Sequence, residues 1–197
     1  MSGQVLGLGQ GHDVVGRPGR AAYMPQKDLL LPWRRVLDNA ILGAELDGVP
    51  REQARGDALA LFDQFGLTGF ERSWPAQLSG GMRQRLALLR TFLLRREVLL
   101  LDEPFGALDV ITRGEMVAWL QGVLLGAGPT SVLFVTHDVE EALLLSDRVV
   151  VLSPRPGRIE AEVAVPFERP RPPGVVAEPR FVALRATVMA ALAGGRG

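Results

Sequence analysis

The sequence predicts an α/β fold in which a sheet with parallel strands carries a block of helices. Three observations lead there. Strand-length segments, each holding a short continuous apolar run, stand at residues 98–101, 131–136 and 148–152. Helical periodicity separates them, and three helical segments follow one another between residues 36 and 96. The chain has 197 residues, 47% apolar and 22% charged, which suits one domain of ordinary size or one with a small appended subdomain. The 22 basic and 22 acidic side chains cancel, so nothing argues for nucleic acid as a partner. With no cysteine, disulfide scaffolds, thiolate zinc sites and cysteine nucleophiles are excluded.

Taken in order, residues 2–20 are Gly-rich with apolar pairs, as in short strands joined by tight turns. Residues 20–24 form a brief strand stopped by Pro25, which cannot donate to a ladder. Residues 29–33 are apolar and exposed in a loop. Residues 36–46 form the first helix, with Val36, Leu37, Ala40, Ile41 and Ala44 on one face. Pro50 opens the second, whose buried stripe is Leu59, Phe62 and Phe65, ending at Gly66. The third starts near Ser79 and runs through Leu86, Leu89 and Leu93 to Arg96. Residues 98–101 read as a parallel strand covered on both faces, 110–125 as a helix, and 131–136 as a second buried strand. A short helix follows at 138–145, its start rich in Asp138, Glu140 and Glu141, the favourable end of the dipole for carboxylates. Residues 148–152 give a third strand and 159–165 a half-exposed one. A proline-rich connector at 166–179 leads to a closing helix at 181–192.

Chemistry concentrates at three places. The strand 98–101 delivers Asp102 and Glu103 at its C-terminal end, the edge where open α/β sheets bind ligands. Two adjacent acids there can divide labour, one placing a divalent cation and the other activating a water. They can equally cap the next helix. Ser79-Gly80-Gly81 can open a helix with amides bare for a phosphate, or form a plain turn. His137 leaves the strand 131–136, and a lone histidine serves structure as readily as catalysis.

In order, Tyr23-Met24-Pro25-Gln26, Leu78-Ser79-Gly80-Gly81-Met82-Arg83-Gln84-Arg85, Leu99-Leu100-Leu101-Asp102-Glu103-Pro104, Gly106-Ala107-Leu108-Asp109 and Val135-Thr136-His137-Asp138 resemble the ATP-binding-cassette (ABC) ATPases. The resemblance extends from about Ser2 to the final helix, and implies a P-loop NTPase-like parallel sheet with a helical subdomain. It further implies that Asp102 holds magnesium through water, with Gln26 reaching the metal, and that Glu103 is the general base. His137 becomes the switch histidine at the γ-phosphate and Asp109 the D-loop aspartate facing a second subunit. Ser79, Gly80 and Gly81 become the signature that grips the nucleotide of the opposite subunit. Leu30-Leu31-Pro32-Trp33, Val36-Leu37-Asp38-Asn39 and Pro104-Phe105-Gly106 resemble the importers of nitrate, sulfonate, taurine and pyrimidine precursors, as do residues 139–142 and 153–159.

The implied cofactors are ATP and Mg2+. The implied partners are a second ATP-binding subunit in a dimer, a membrane permease docking near Gln26–Trp33, and a solute-binding protein reached indirectly. The implied place is cytoplasmic, peripheral on the inner face of the cell membrane, since the N-terminus has no signal-peptide pattern. The short 66–77 link leaves no room for the coiled-coil insertion of the DNA-repair members.

The same comparison exposes a gap. The family cradles phosphates with a Gly-rich loop ending in Lys and Ser or Thr. The single lysine here, Lys27, has no such loop before it. Ser2-Gly3-Gln4-Val5 resembles the segment just after the helix that follows that loop. The reading is therefore a chain truncated at its N-terminus, without the first strands, the Walker A P-loop and its helix. Residues 1–26 are then a remnant of the N-terminal β subdomain with the Q-loop, and 27–96 the helical subdomain. Residues 97–165 form the Walker B, D-loop and H-switch part of the sheet, and 166–197 the connector and C-terminal helix. The lost strand is expected beside residues 98–101, leaving apolar surface bare and the fold poorly soluble or molten. No ATP hydrolysis is expected from the chain alone. The alternative function is a non-catalytic module that completes a partner's nucleotide site in trans.

Overall fold

The structure, a computed structural model, describes residues 21–106, 108–126 and 131–194. The strands expected within residues 2–20 and the placement of Ala107 lie outside the described residues. The chain divides into two compact units, one comprising residues 21–106, 108 and 131–133 and the other 109–126 and 134–194.

In the first unit, β1 (Ala21–Met24) pairs in parallel with β2 (Val98–Asp102), Ala21 opposite Val98 through Met24 opposite Leu101. Alternation does the sorting: Ala22, Met24, Leu99 and Leu101 are buried, while Tyr23, opposite Leu100, is exposed. β3 (Ser131–Val135) completes a sheet of order β1-β2-β3. This arrangement corrects two expectations. The edge beside residues 98–101 is no open slot, because β2 has a neighbour on each side. Nor is β3 a buried strand, since Leu133 is 50% and Val135 48% exposed. The exposed residues of β3 alternate, Ser131, Leu133 and Val135 sharing one face of the strand, so among the described residues nothing fully covers that face.

The helices of this unit are α1 (Val36–Ala40), α2 (Leu42–Leu46), α3 (Arg51–Phe62) and α4 (Gly80–Phe92). The single helix expected over 36–46 is interrupted at buried Ile41, whose ψ opens to −5°. Pro50 stands just before α3, and the row facing the core is Ala54, Ala58 and Phe62. Leu59, expected in that stripe, is 47% exposed because it follows Ala58 by about 100° around the helix. Phe65 is buried beyond the helix end, where Gly66 turns the chain at φ +62° and the Phe65 and Phe92 rings lie 5.9 Å apart. α4 stops at Phe92, short of the expected Arg96, and Arg95 then adopts φ +48°.

The second unit holds α5 (Val110–Gly126), α6 (Val139–Leu145), β4 (Arg148–Leu152), β5 (Ile159–Ala164) and α7 (Pro179–Gly194). β4 pairs antiparallel with β5 in a two-stranded sheet of its own, rather than extending the sheet of β2. Its core gathers Leu143, Val149, Val151, Phe181 and Val188. Buried Arg171 donates to the carbonyls of Leu143, Ser146 and Phe167 at 2.7–2.8 Å. Gln121 of α5 binds the same residue's backbone, accepting from N at 2.6 Å and donating to O at 3.0 Å. The connector after residue 166 is thereby fastened to α5 and α6. Among the described residues no helix is long and apolar enough to cross a membrane.

Candidate functional site

The acidic pair closes β2. Asp102 is its last residue, and its Oδ2 accepts from the Tyr23 hydroxyl at 2.9 Å. Glu103 follows at φ +43°, a left-handed backbone that a residue with a Cβ rarely takes and that concentrates at functional sites. Gln26 Nε2 donates to Glu103 Oε2 at 2.7 Å. The turn is anchored by buried Pro104 and Phe105 and closed by Gly106 N–H donating to Glu103 O at 3.1 Å. A Cβ on Gly106 would stand 3.3 Å from Glu103 Oε2, so glycine keeps that carboxylate uncrowded. The hydrogen bond to Asp102, together with slight burial and the nearby negative charge, holds the Tyr23 phenol above its ordinary range.

Ser79 is a helix cap rather than a plain turn. Its Oγ accepts from Met82 N–H at 3.2 Å, and its extended backbone opens α4. Ser79 and Gly80 are exposed and Gly81 is buried. A Cβ on Gly80 would meet only ordinary contacts, Leu108 at 3.8 Å being the nearest, so this chain's own packing does not demand glycine there. A bare backbone at a helix start leaves room for an anion to approach the amides.

Residues 26–33 emerge from β1 as a braced projection. Leu29, at φ +45°, is 58% exposed and Trp33 71%. Buried Asn39 accepts from Leu31 N–H at 2.8 Å and donates to the carbonyls of Leu31, Arg34 and Arg35 at 3.0–3.2 Å. Arg90 of α4 donates to the carbonyls of Asp28 at 2.7 Å and Leu29 at 3.0 Å.

In the second unit, Asp109 caps α5, Oδ1 accepting from the N–H groups of Ile111 and Thr112 at 3.1 Å and Oδ2 from Thr112 Oγ1 at 2.7 Å. The Thr112 hydrogen bonds, side chain before backbone, pull its carboxyl below the ordinary range. His137 is exposed on the turn between β3 and α6. Asp138 after it caps α6, accepting from Glu140 N–H at 2.8 Å and Glu141 N–H at 3.1 Å.

The structure thus joins Gln26 to Glu103 and places Ser79, Gly80 and Gly81 on a separate helix of the same unit; Asp109 and His137 belong to the other unit. Sequence reasoning missed three supports. Tyr23 reaches Asp102 only through the parallel register, Asn39 acts from inside a helix, and Arg113 and Thr136 hold Asp138, the residue after His137. Among the described residues no cluster of three or more His, Cys, Asp or Glu forms a ready metal cage. The side-chain oxygens of Asp102, Glu103 and Gln26 are of the hard kind that suits an ion keeping most of its own waters.

Acids at the end of a parallel strand and a serine-capped, glycine-opened helix in the same unit are the elements with which α/β domains bind anionic ligands. The ABC transporter family matches residues 3–106, and the chain belongs to that family. It is 46% identical over 157 residues to the formylaminopyrimidine import ATP-binding protein ThiZ of Halalkalibacterium halodurans, covering 80% of this chain and 63% of that one. It is 53% identical over 148 residues to an aliphatic sulfonates import ATP-binding protein, SsuB 1 of Rhodococcus jostii, covering 75% and 56%. It is 41% identical over 187 residues to the taurine import ATP-binding protein TauB of Rhizobium johnstonii, covering 88% and 71%. The chain therefore spans less than two thirds of the length of the first two. A solved dimer of the ATP-binding cassette MJ0796 in a post-hydrolysis state, bound to ADP and Pi, aligns with a TM-score of 0.61. That alignment has 29% identity over 77% of this chain and 66% of that one.

Proposed function

We propose that the chain is the ATP-binding subunit of an ABC-type importer, coupling Mg-ATP hydrolysis to entry of a small solute through a membrane permease. The relatives named for formylaminopyrimidine, aliphatic sulfonate and taurine import support a solute of that group. In this reading residues 27–96 are the helical subdomain bearing the signature, and the protein works as a dimer on the cytoplasmic face of the membrane. The solute-binding protein is met only through the permease.

One observation carries the reading: the left-handed Glu103, held by Gln26, directly after an Asp102 held by Tyr23. Asp102 and Gln26 would hold magnesium through water, and the bound ion would neutralise charge building on the phosphates. Glu103 would accept the proton of an attacking water, a role for which the Gln26 hydrogen bond orients its carboxylate. His137 would donate to the γ-phosphate and Asp109 would face the second subunit. Residues 26–33 would dock the permease, Leu29 and Trp33 entering a groove or receiving a short helix.

No Gly-rich loop ending in Lys-Ser or Lys-Thr occurs in these 197 residues. The chain alone is therefore proposed to be inactive. ATP turnover by the purified chain that Glu103→Gln abolishes would contradict this. Retention of the chain by detergent-solubilised permease, lost on Trp33→Glu, tests the importer role; equal retention of both proteins contradicts docking through residues 26–33. A second reading is favoured by the serine-capped start of α4, where Ser79 and Gly80 are exposed. There Ser79, Gly80 and Gly81 complete a partner's nucleotide site in trans while the chain itself does no chemistry.

A further inference from the structure

The turn that carries His137 is held by side chains to which the nucleotide reading gives no role. Thr136 Oγ1 accepts from Asp138 N–H at 3.0 Å, closing a turn with His137 at its middle. The same hydroxyl donates to Glu141 Oε2 at 2.6 Å. Glu141 is 5% exposed, and its other oxygen lies 3.5 Å from Arg113 Nε of α5. Arg113 Nη1 reaches Asp138 Oδ2 at 3.4 Å. Both chain neighbours of His137 are therefore tied, through one hydroxyl and one guanidinium, to a single buried carboxylate. The imidazole itself stays exposed.

A carboxylate in that position is costly to bury unless its partners offset the loss of water. Burial raises the Glu141 pKa above its ordinary value, against the opposing Thr136 hydrogen bond. Asp138 adds to the rise, while Arg113 and His137 work against it. Capping α6 requires none of this, because Asp138 already does so. Arg113 also donates its N–H to Asp109 O at 2.9 Å, so the same residue stands one turn from the cap of α5.

We propose that Glu141 is a positioning residue for His137, ordering the 136–138 turn through the Thr136 hydroxyl while Arg113 fixes the carboxylate against α5. This rests on His137 being the imidazole that meets phosphate, but the order of the turn is measurable without nucleotide. A carboxylate serving only the stability of α6 would leave the order of the 136–138 turn, read at the Asp138 amide, unchanged when removed.

The chain has two histidines, so His12→Gln leaves His137 as the one imidazole seen by proton NMR. In that background Glu141→Ala and Thr136→Val should shift the His137 ring resonances alike. Each should also speed exchange of the Asp138 amide by roughly tenfold, the effect of losing one side-chain hydrogen bond. Thr136→Ser, which keeps the hydroxyl, should restore both. Unchanged ring resonances and exchange in a folded Glu141→Ala protein overturn the proposal. Should that variant not fold, wild-type values in Thr136→Val overturn it as well. Failure of the phosphate reading looks different: the His137 resonances would ignore added inorganic phosphate while the turn still responded to Glu141 and Thr136.

Discussion

The start of α4 and the end of β2 lie in one unit and bear the two halves of the proposed nucleotide chemistry, yet they are held in opposite ways. Ser79 finds its partner three residues on, at Met82, inside the helix it opens. Asp102 and Glu103 are held from 79 and 77 residues away, by Tyr23 and Gln26. The first half is a property of a helix and goes wherever that helix goes. The second exists only while β1 and β2 keep their register. A chain carrying part of a nucleotide site can therefore keep a working signature more easily than a working acid pair.

Substitutions should pull these halves apart. Leu101 is buried at the end of β2, so Leu101→Ala is expected to cost about 2–5 kcal/mol in urea unfolding. Hydrogen exchange should show the loss in β1 and β2 while the Met82 amide of α4 keeps its protection. Equal loss at both places would break the comparison. Asn39→Ala removes the side-chain donor shared by the carbonyls of Leu31, Arg34 and Arg35 and the acceptor of Leu31 N–H, for an expected loss of about 1–3 kcal/mol. Tryptophan fluorescence should report a loosened Trp33. Ser79→Ala removes one cap at about 1 kcal/mol, and should fray α4 without moving the acid pair.

The smallest effect is a titration. Tyr23 is the only tyrosine, so near-ultraviolet absorbance reads it directly. Its phenol is held above the ordinary range, mainly by the Asp102 hydrogen bond. The folded state then keeps the proton more strongly than the unfolded chain. The contact's contribution is complete below the ordinary tyrosine pKa and is lost as pH climbs through the raised value. Asp102→Asn should bring the transition back toward ordinary tyrosine, and an unmoved transition would show that the pair is not formed in solution.

What the sequence made legible follows the same division. An apolar run ending in Asp102 and Glu103, a serine before Gly80 and an aspartate before Val139 are local statements, and the structure honours each. The break at Ile41 and the end of α4 had no such marker: Ile41 fits its helical stripe, and Arg95 takes a left-handed backbone without being glycine or asparagine. The exposure of Leu133 and Val135 was hidden for another reason, since residues 131–135 spell a buried strand while their neighbours decide their cover. Tyr23 and Asn39 act through register and through a loop folded back on a helix, neither of which has a spacing along the chain. For His137 the flanking Thr136 and Asp138 were visible, but Glu141 passed for a helix-start acid when it is a buried partner of Thr136 and Arg113.

The contrast between the two halves is met most directly by phosphate release from an intact aliphatic-sulfonate-type ATP-binding subunit, measured alone and with this chain added. Stimulation is predicted, surviving Glu103→Gln in this chain and falling about a hundredfold with Ser79→Arg, the scale on which losing a phosphate-facing contact acts. Stimulation that Glu103→Gln abolishes and Ser79→Arg spares would contradict the account.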